Sequence, residues 1–321
     1  MAKAKWKPKA ISDEAKAWLA KPINQQLNWT DPQARLARFL KGDEIPLGSV
    51  SFDLKQMAYR FSVLALANIL DQPDESLTYL VKSQQYRLKR YQIFIRINAL
   101  DHRPEKQGRI DFNEVGIFLA RLIALGYFSE ADELFSRLLL ALKENLYYGI
   151  DSTNATPFIF NLYAKSQGQT ISFGGFEVKR VDIYEKLVEL FPSENLDEVV
   201  SALTRACDYH KMRGGYGDDE VSYEYDSNLD RIHPAEILAF LRLRQKLGLA
   251  VPELKHPILD NPLAKLNEPK PFPDDPFLNQ VAEVADALLR KQEGGGSASG
   301  VKRGTGGLFA IPINQIKKIF R

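Results

Sequence analysis

The chain has 321 residues, 45% apolar and 26% charged, with a formal net charge of +2. That length and apolar content allow a large buried core and exclude disorder by composition. Cys207 is the one cysteine, which excludes an internal disulfide and fits a reducing compartment.

The net charge hides an asymmetry. Residues from Gly294 onward carry Lys302, Arg303, Lys317, Lys318 and Arg321 and no acid, so the remainder is mildly acidic. An acidic body lacks the concentrated basic face of a nucleic-acid binder. The basic start, MAKAKWKPKAISDEAK, is followed by no apolar region of the secretory type, and charges interrupt every apolar run before it could span a bilayer. The expected location is cytoplasmic, with neither nucleic acid nor membrane as partner.

Helical periodicity dominates the chain. In SFDLKQMAYRFSVLALANIL, Met57, Phe61, Leu64 and Leu66 recur at helical spacing. A break at Asp71–Asp74 contains Pro73. Beyond it Leu77, Leu80, Val81, Leu88, Tyr91 and Ile95 form a second apolar stripe. In DFNEVGIFLARLIALG, Asp111 and Glu114 stand at capping-box spacing, and Gly126 closes the helix. Ser129 opens the next helix, with Ala131, Leu134, Phe135, Leu138, Leu142 and Leu146 on one face. So short a turn makes the two helices antiparallel neighbours. Their junction, LGYFSEADELF, resembles the middle of a tetratricopeptide unit, although no second copy occurs at a fixed period.

Residues 151–176 read as less regular, with a small hairpin or loop in GQTISFGGFEV. Helical patterns resume in VDIYEKLVELF and NLDEVVSALTRACDYHKM, where Cys207 belongs to the apolar pattern. A long loop, GGYGDDEVSYEYDSNLD, precedes the strong helix HPAEILAFLRLRQKLG, which has Pro234 at its start and Gly248 after its end. A proline-rich strap leads to a final amphipathic helix, FLNQVAEVADALLRKQ. The expected fold is all-α: a bundle of antiparallel helix pairs, with at most a minor β-hairpin near 168–178.

Residues 1–293 read as one α-helical domain. Residues 294–307 form a flexible Gly/Ser-rich linker of engineered appearance, with seven glycines. Residues 308–321 form a basic amphipathic peptide. Its apolar residues, Leu308, Phe309, Ile311, Ile313, Ile316, Ile319 and Phe320, are dense enough to predict docking on the domain in cis or on a neighbouring chain, as a helix or strand in a groove.

No pattern selects a catalytic centre. His102, His210, His233 and His256 lack helical zinc spacing, and GGYG lacks the Lys-Ser/Thr of a phosphate loop. No serine lies in G-x-S-x-G. The reading is therefore a non-enzyme without metal or cofactor. The most unusual local feature is the acidic loop, in which Asp218, Asp219, Glu220, Glu224 and Asp226 alternate with Tyr216, Tyr223 and Tyr225, ahead of Asp230. Carboxylates meet cationic sites on a partner while tyrosines supply rigid contact area. The expected partner-binding residues are Tyr216, Asp218, Asp219, Glu220, Tyr223, Glu224 and Asp226.

The stretch DSNLDRIHPAEILAFLRLRQKLGLAVPELKHPILDNPL resembles the closing part of several all-α bacterial immunity-protein families, which neutralise polymorphic or contact-delivered toxins. The shared pattern is a polar loop, an Ala/Leu/Ile-rich helix, a Gly-Leu stop and a proline-containing strap, over about 40 residues. The resemblance implies stoichiometric inhibition of a cognate toxin or effector protein, with the C-terminal peptide as a tethered fragment of the partner. Two other classes stay open: a helical adaptor or chaperone that binds a short client motif, and an all-α enzyme with an unrecognised site.

Overall fold

The computed structural model describes residues 7–100, 110–149, 153–173, 178, 180–214, 224–225 and 227–295. The fold is all-α with a minor β element. Helices α1 (Pro8–Leu19), α2 (Pro22–Gln25) and α3 (Asp31–Leu40) each carry proline at the first or second position, where the missing N–H costs nothing. Their apolar pattern is sparse: α1 buries only Ile11, Ser12 and Ala15.

Helices α4 (Leu47–Asn68) and α5 (Pro73–Ala99) pair along their length. Pro73 opens α5 rather than lying in a break that runs to Asp74. Small polar residues let the two backbones approach: Ser83 donates to the Ala58 carbonyl at 2.9 Å, and Ser76 to that of Ala65 at 2.6 Å. The pair forms a wall between two apolar clusters. Leu66, Leu80, Leu88 and Tyr91 face the larger one. Met57, Phe61, Tyr86 and Ile93 face the smaller one, with Leu36, Phe39, Leu278 and Leu289. The residues that read as one stripe on α4 are thus shared between two cores, and a helix buried on both sides shows little amphipathicity.

Strand β1 (Ile110–Asp111) leads into α6 (Phe112–Ala124). Asp111 caps α6, its Oδ1 accepting from the backbone of Asn113 at 2.9 Å and Glu114 at 3.1 Å. Glu114 turns to Arg90 at 2.7 Å, Lys55 at 3.3 Å and Arg87 at 3.4 Å. Burial opposes its charge, but these three cations outweigh burial and hold its pKa down to about 2. Gly126, at φ +85°, ends the turn from which α7 (Phe128–Lys143) folds back. The six apolar residues expected on one face of this region, Ala131 through Leu146, are all buried. Strand β2 (Tyr147–Tyr148) pairs in parallel with β1.

The interval expected to be irregular contains α8 (Ala155–Ser166), one of the most buried helices. It presses on α6 so closely that a Cβ on Gly116 would lie 2.1 Å from Thr156 Oγ1. The β element lies at 110–111 and 147–148; among the described residues from 168 to 173 there is no strand.

Helices α9 (Asp182–Leu190), α10 (Leu196–Arg213) and α11 (Asn228–Ile232) follow. The next helix, α12 (Ala235–Lys246), is buried throughout Ala235–Arg244, with two arginines inside. Both act on helix C-termini, where carbonyls lack partners. Arg242 donates to the carbonyl of Ala124 at the end of α6 at 3.1 Å. Arg244 donates to the carbonyls of Phe191 at 2.6 Å and Ser193 at 2.9 Å, beyond the end of α9. The strap follows, its Phe272 stacked on Tyr127 at 4.1 Å between ring centres. Helix α13 (Pro276–Gly295) closes the smaller core, and Glu293 near its end is bound by Arg96 Nε and Nη2 at 2.9 Å each. Among the described residues no helix is long and apolar enough to cross a membrane.

Candidate recognition site

The acidic stretch has a fastened stem. Gly214 and Tyr225 form an isolated parallel bridge, with Tyr225 N donating to the Arg213 carbonyl at 3.2 Å. The chain thus returns at Tyr225 to the point it left at Gly214. Tyr225 is fully buried, its ring stacked 4.0 Å from the ring of His210 on α10 and its hydroxyl 2.6 Å from that of Tyr184 on α9.

Glu224 lies inside the protein rather than on a surface that meets a partner: it is 5% exposed. Its Oε1 accepts from the backbone N–H of Asn154 at 2.6 Å and of Ala155 at 2.5 Å, and from the Thr153 hydroxyl at 3.0 Å. Its Oε2 accepts from Asn154 Nδ2 at 3.2 Å. Asn154 precedes α8 but makes no side-chain cap of its own. A carboxylate from 70 residues downstream fills that role, satisfying orphan donors where the helix dipole favours negative charge. This corrects the expectation that Glu224 is a contact residue: its carboxylate is buried and occupied by the donors at the start of α8. Burial, then the nearby Glu224 carboxylate, push the Tyr209 hydroxyl up to about 12.

Downstream, Ser227 caps α11 by accepting from Asp230 N at 3.0 Å, and the Asp230 carboxylate pairs with buried Arg121. Of the remaining predicted contact residues, Tyr216, Asp218, Asp219, Glu220, Tyr223 and Asp226 lie outside the described residues. So do Leu308, Phe309, Ile311, Ile313, Ile316, Ile319 and Phe320 of the C-terminal peptide.

Beside the stem is a cleft of about 630 Å³ between α8, α9 and the described parts of 170–181. Phe158, Ile171, Val181 and Val188 give it apolar walls; Asn154 and Tyr184, both partners of the stem, form part of its lining. Its size falls in the range that holds a small ligand or a few side chains. Asn154 Oδ1 is buried without a hydrogen-bond partner, while its Nδ2 serves Tyr209 at 2.8 Å and Glu224.

Behind the stem, His210 Nδ1 lies 2.6 Å from Glu236 Oε1. Burial opposes charge on His210, but the Glu236 carboxylate outweighs it and the pKa is raised. The two side chains are buried, with exposures of 1% and 0%. Cys207 is fully buried and burial raises its thiol pKa, as for an inert core cysteine. Among the described residues no group of three or more His, Cys, Asp or Glu could hold a metal ion.

The cleft residues carry no motif. One available signal was Pro157, which with Asn154 marks a helix start in a stretch that otherwise reads as irregular. Compared with protein-family models, curated proteins and solved structures, the chain matches none of them.

Proposed function

We propose that this chain is a stoichiometric binding protein of the immunity type, which neutralises a toxin by occupying it rather than by catalysis. The observation that carries the reading is the stem. A run of acids and tyrosines begins and ends at one fastened point, Gly214–Tyr225, with Glu224 and Tyr225 buried as its foundation. The residues left for a partner are Tyr216, Asp218, Asp219, Glu220, Tyr223 and Asp226. Carboxylates gathered there favour a basic protein, accelerating encounter and selecting the partner more than adding affinity. The basic peptide 308–321 is read as a ligand of the same protein, held at roughly millimolar effective concentration by its linker.

Co-expression tests this. Cells that make the toxin encoded beside this gene should grow when this chain is present and fail without it, and the two proteins should purify as a one-to-one complex. Absence of rescue and of complex contradicts the reading.

The cleft favours a second reading, a helical adaptor that takes a short client motif between α8 and α9. Such an adaptor raises the level of its client and blocks no activity, which distinguishes the two outcomes.

A further inference from the structure

Building on the reading of 308–321 as a ligand carried in cis, we propose that its apolar residues seat in the two hollows on either side of Thr170–Ser172. One is the cleft between α8 and α9. The other, of about 380 Å³, is lined by Leu139, Leu142 and Lys143 of α7 together with Thr170, Ile171 and Ser172. The same short segment walls both, so one peptide crossing it can fill both.

The place where the described chain ends favours this occupant. Helix α13 finishes at Gly295, with Glu293 bound by Arg96 of α5. One turn earlier on α5, Gln92 donates to Glu133 of α7 at 3.1 Å, and Arg137 pairs with the same Glu133 at 3.0 Å. From Arg137 to Leu142 is about 8 Å along the helix axis. Residues 296–307, fully extended, reach roughly 40 Å. The linker therefore leaves the body beside the helix that lines the nearer hollow, with length to spare.

The chemistry agrees. Leu139, Leu142 and Ile171 offer apolar surface to the nearer hollow, and Phe158, Val181 and Val188 to the cleft. The peptide carries seven large apolar side chains, enough to fill both hollows. Asn154 Oδ1, buried and unpartnered in the cleft lining, supplies an acceptor for a backbone N–H of an inserted segment. The peptide and linker are cationic and the body acidic, so the long-range attraction has the right sign.

Photo-crosslinking of the full chain tests the site. The photoreactive analogue p-benzoylphenylalanine in place of Phe309 should crosslink within one chain to α7, α8, α9 or residues 170–173. Val188→Arg, verified by circular dichroism to retain the helical fold, should abolish the crosslinks that fall in the cleft. Intramolecular crosslinks to any other face, or crosslinks only between chains, overturn the assignment of the site. Intramolecular crosslinks elsewhere leave the cis-ligand reading standing. Absence of any crosslink to protein overturns that reading itself.

Discussion

The carboxylate of Glu224 lies 2.5 Å from the backbone nitrogen of Ala155, joining the end of an acidic stretch to the first turn of a helix 69 residues earlier. That contact makes Glu224 part of the fold. Glu224→Ala leaves the N–H groups of Asn154 and Ala155 without their acceptor inside the protein. The expected cost is about 1–3 kcal/mol, read as a lower midpoint of chemical denaturation. Cleavage between Gly214 and Tyr225 by a nonspecific protease should also quicken. A midpoint within error of the unaltered protein contradicts the anchoring role.

Gly116 and Thr156 set the distance between α6 and α8. Gly116→Ala puts a methyl 2.1 Å from Thr156 Oγ1, so one helix must move. Overpacking of this kind costs about 1–3 kcal/mol. A thermal melt should show a lower transition temperature, and no change would mean that the helices separate freely.

Asp230 neutralises an arginine that is 3% exposed. Asp230→Asn leaves Arg121 charged, buried and without its counter-ion, at a cost of about 3–5 kcal/mol. A urea titration measures the loss. Asp230→Glu should recover part of it.

The pH profile of stability should peak near 6.5. His233 is held at about 3 by burial and by the nearby Arg121, below its ordinary 6.5. Its folded value is depressed, so its contribution is present above pH 6.5 and is lost as pH falls towards 3. Glu114 adds a second loss between its ordinary 4.5 and about 2. His210 has the opposite sign: its raised value contributes fully below 6.5 and is lost as pH rises through it. Denaturation midpoints across pH 3–9 check the shape. His233→Gln should flatten the limb between pH 6.5 and 4.5, and an unchanged limb would show that His233 is not its source.

The helices with a strong one-sided pattern were legible in the chain. Asp111 marked the start of α6, Gly126 its end, and Ala131 through Leu146 the inward face of α7 and the turn after it. These signals are local, set by caps and periodicity. Helix α8 was not legible, because Phe158, Phe160, Leu162 and Tyr163 are buried around its whole circumference and leave no polar face to give it a period. The role of Glu224 was not legible for a different reason. An acid among acids reads as solvated, and only the folded chain brings Asn154 and Ala155 to it. The two arginines of α12 likewise look like surface charges until the ends of α6 and α9 meet them.

The proposed contact of Asp218, Asp219 and Glu220 with a cationic partner makes association depend on charge. The direct measurement is the association rate with whatever protein this chain binds on co-expression, taken over a range of salt concentrations. The triple variant Asp218→Asn, Asp219→Asn, Glu220→Gln should bind more slowly, and its rate should depend less steeply on salt. Identical rates and identical salt dependence for the variant and the unaltered chain would contradict the claim.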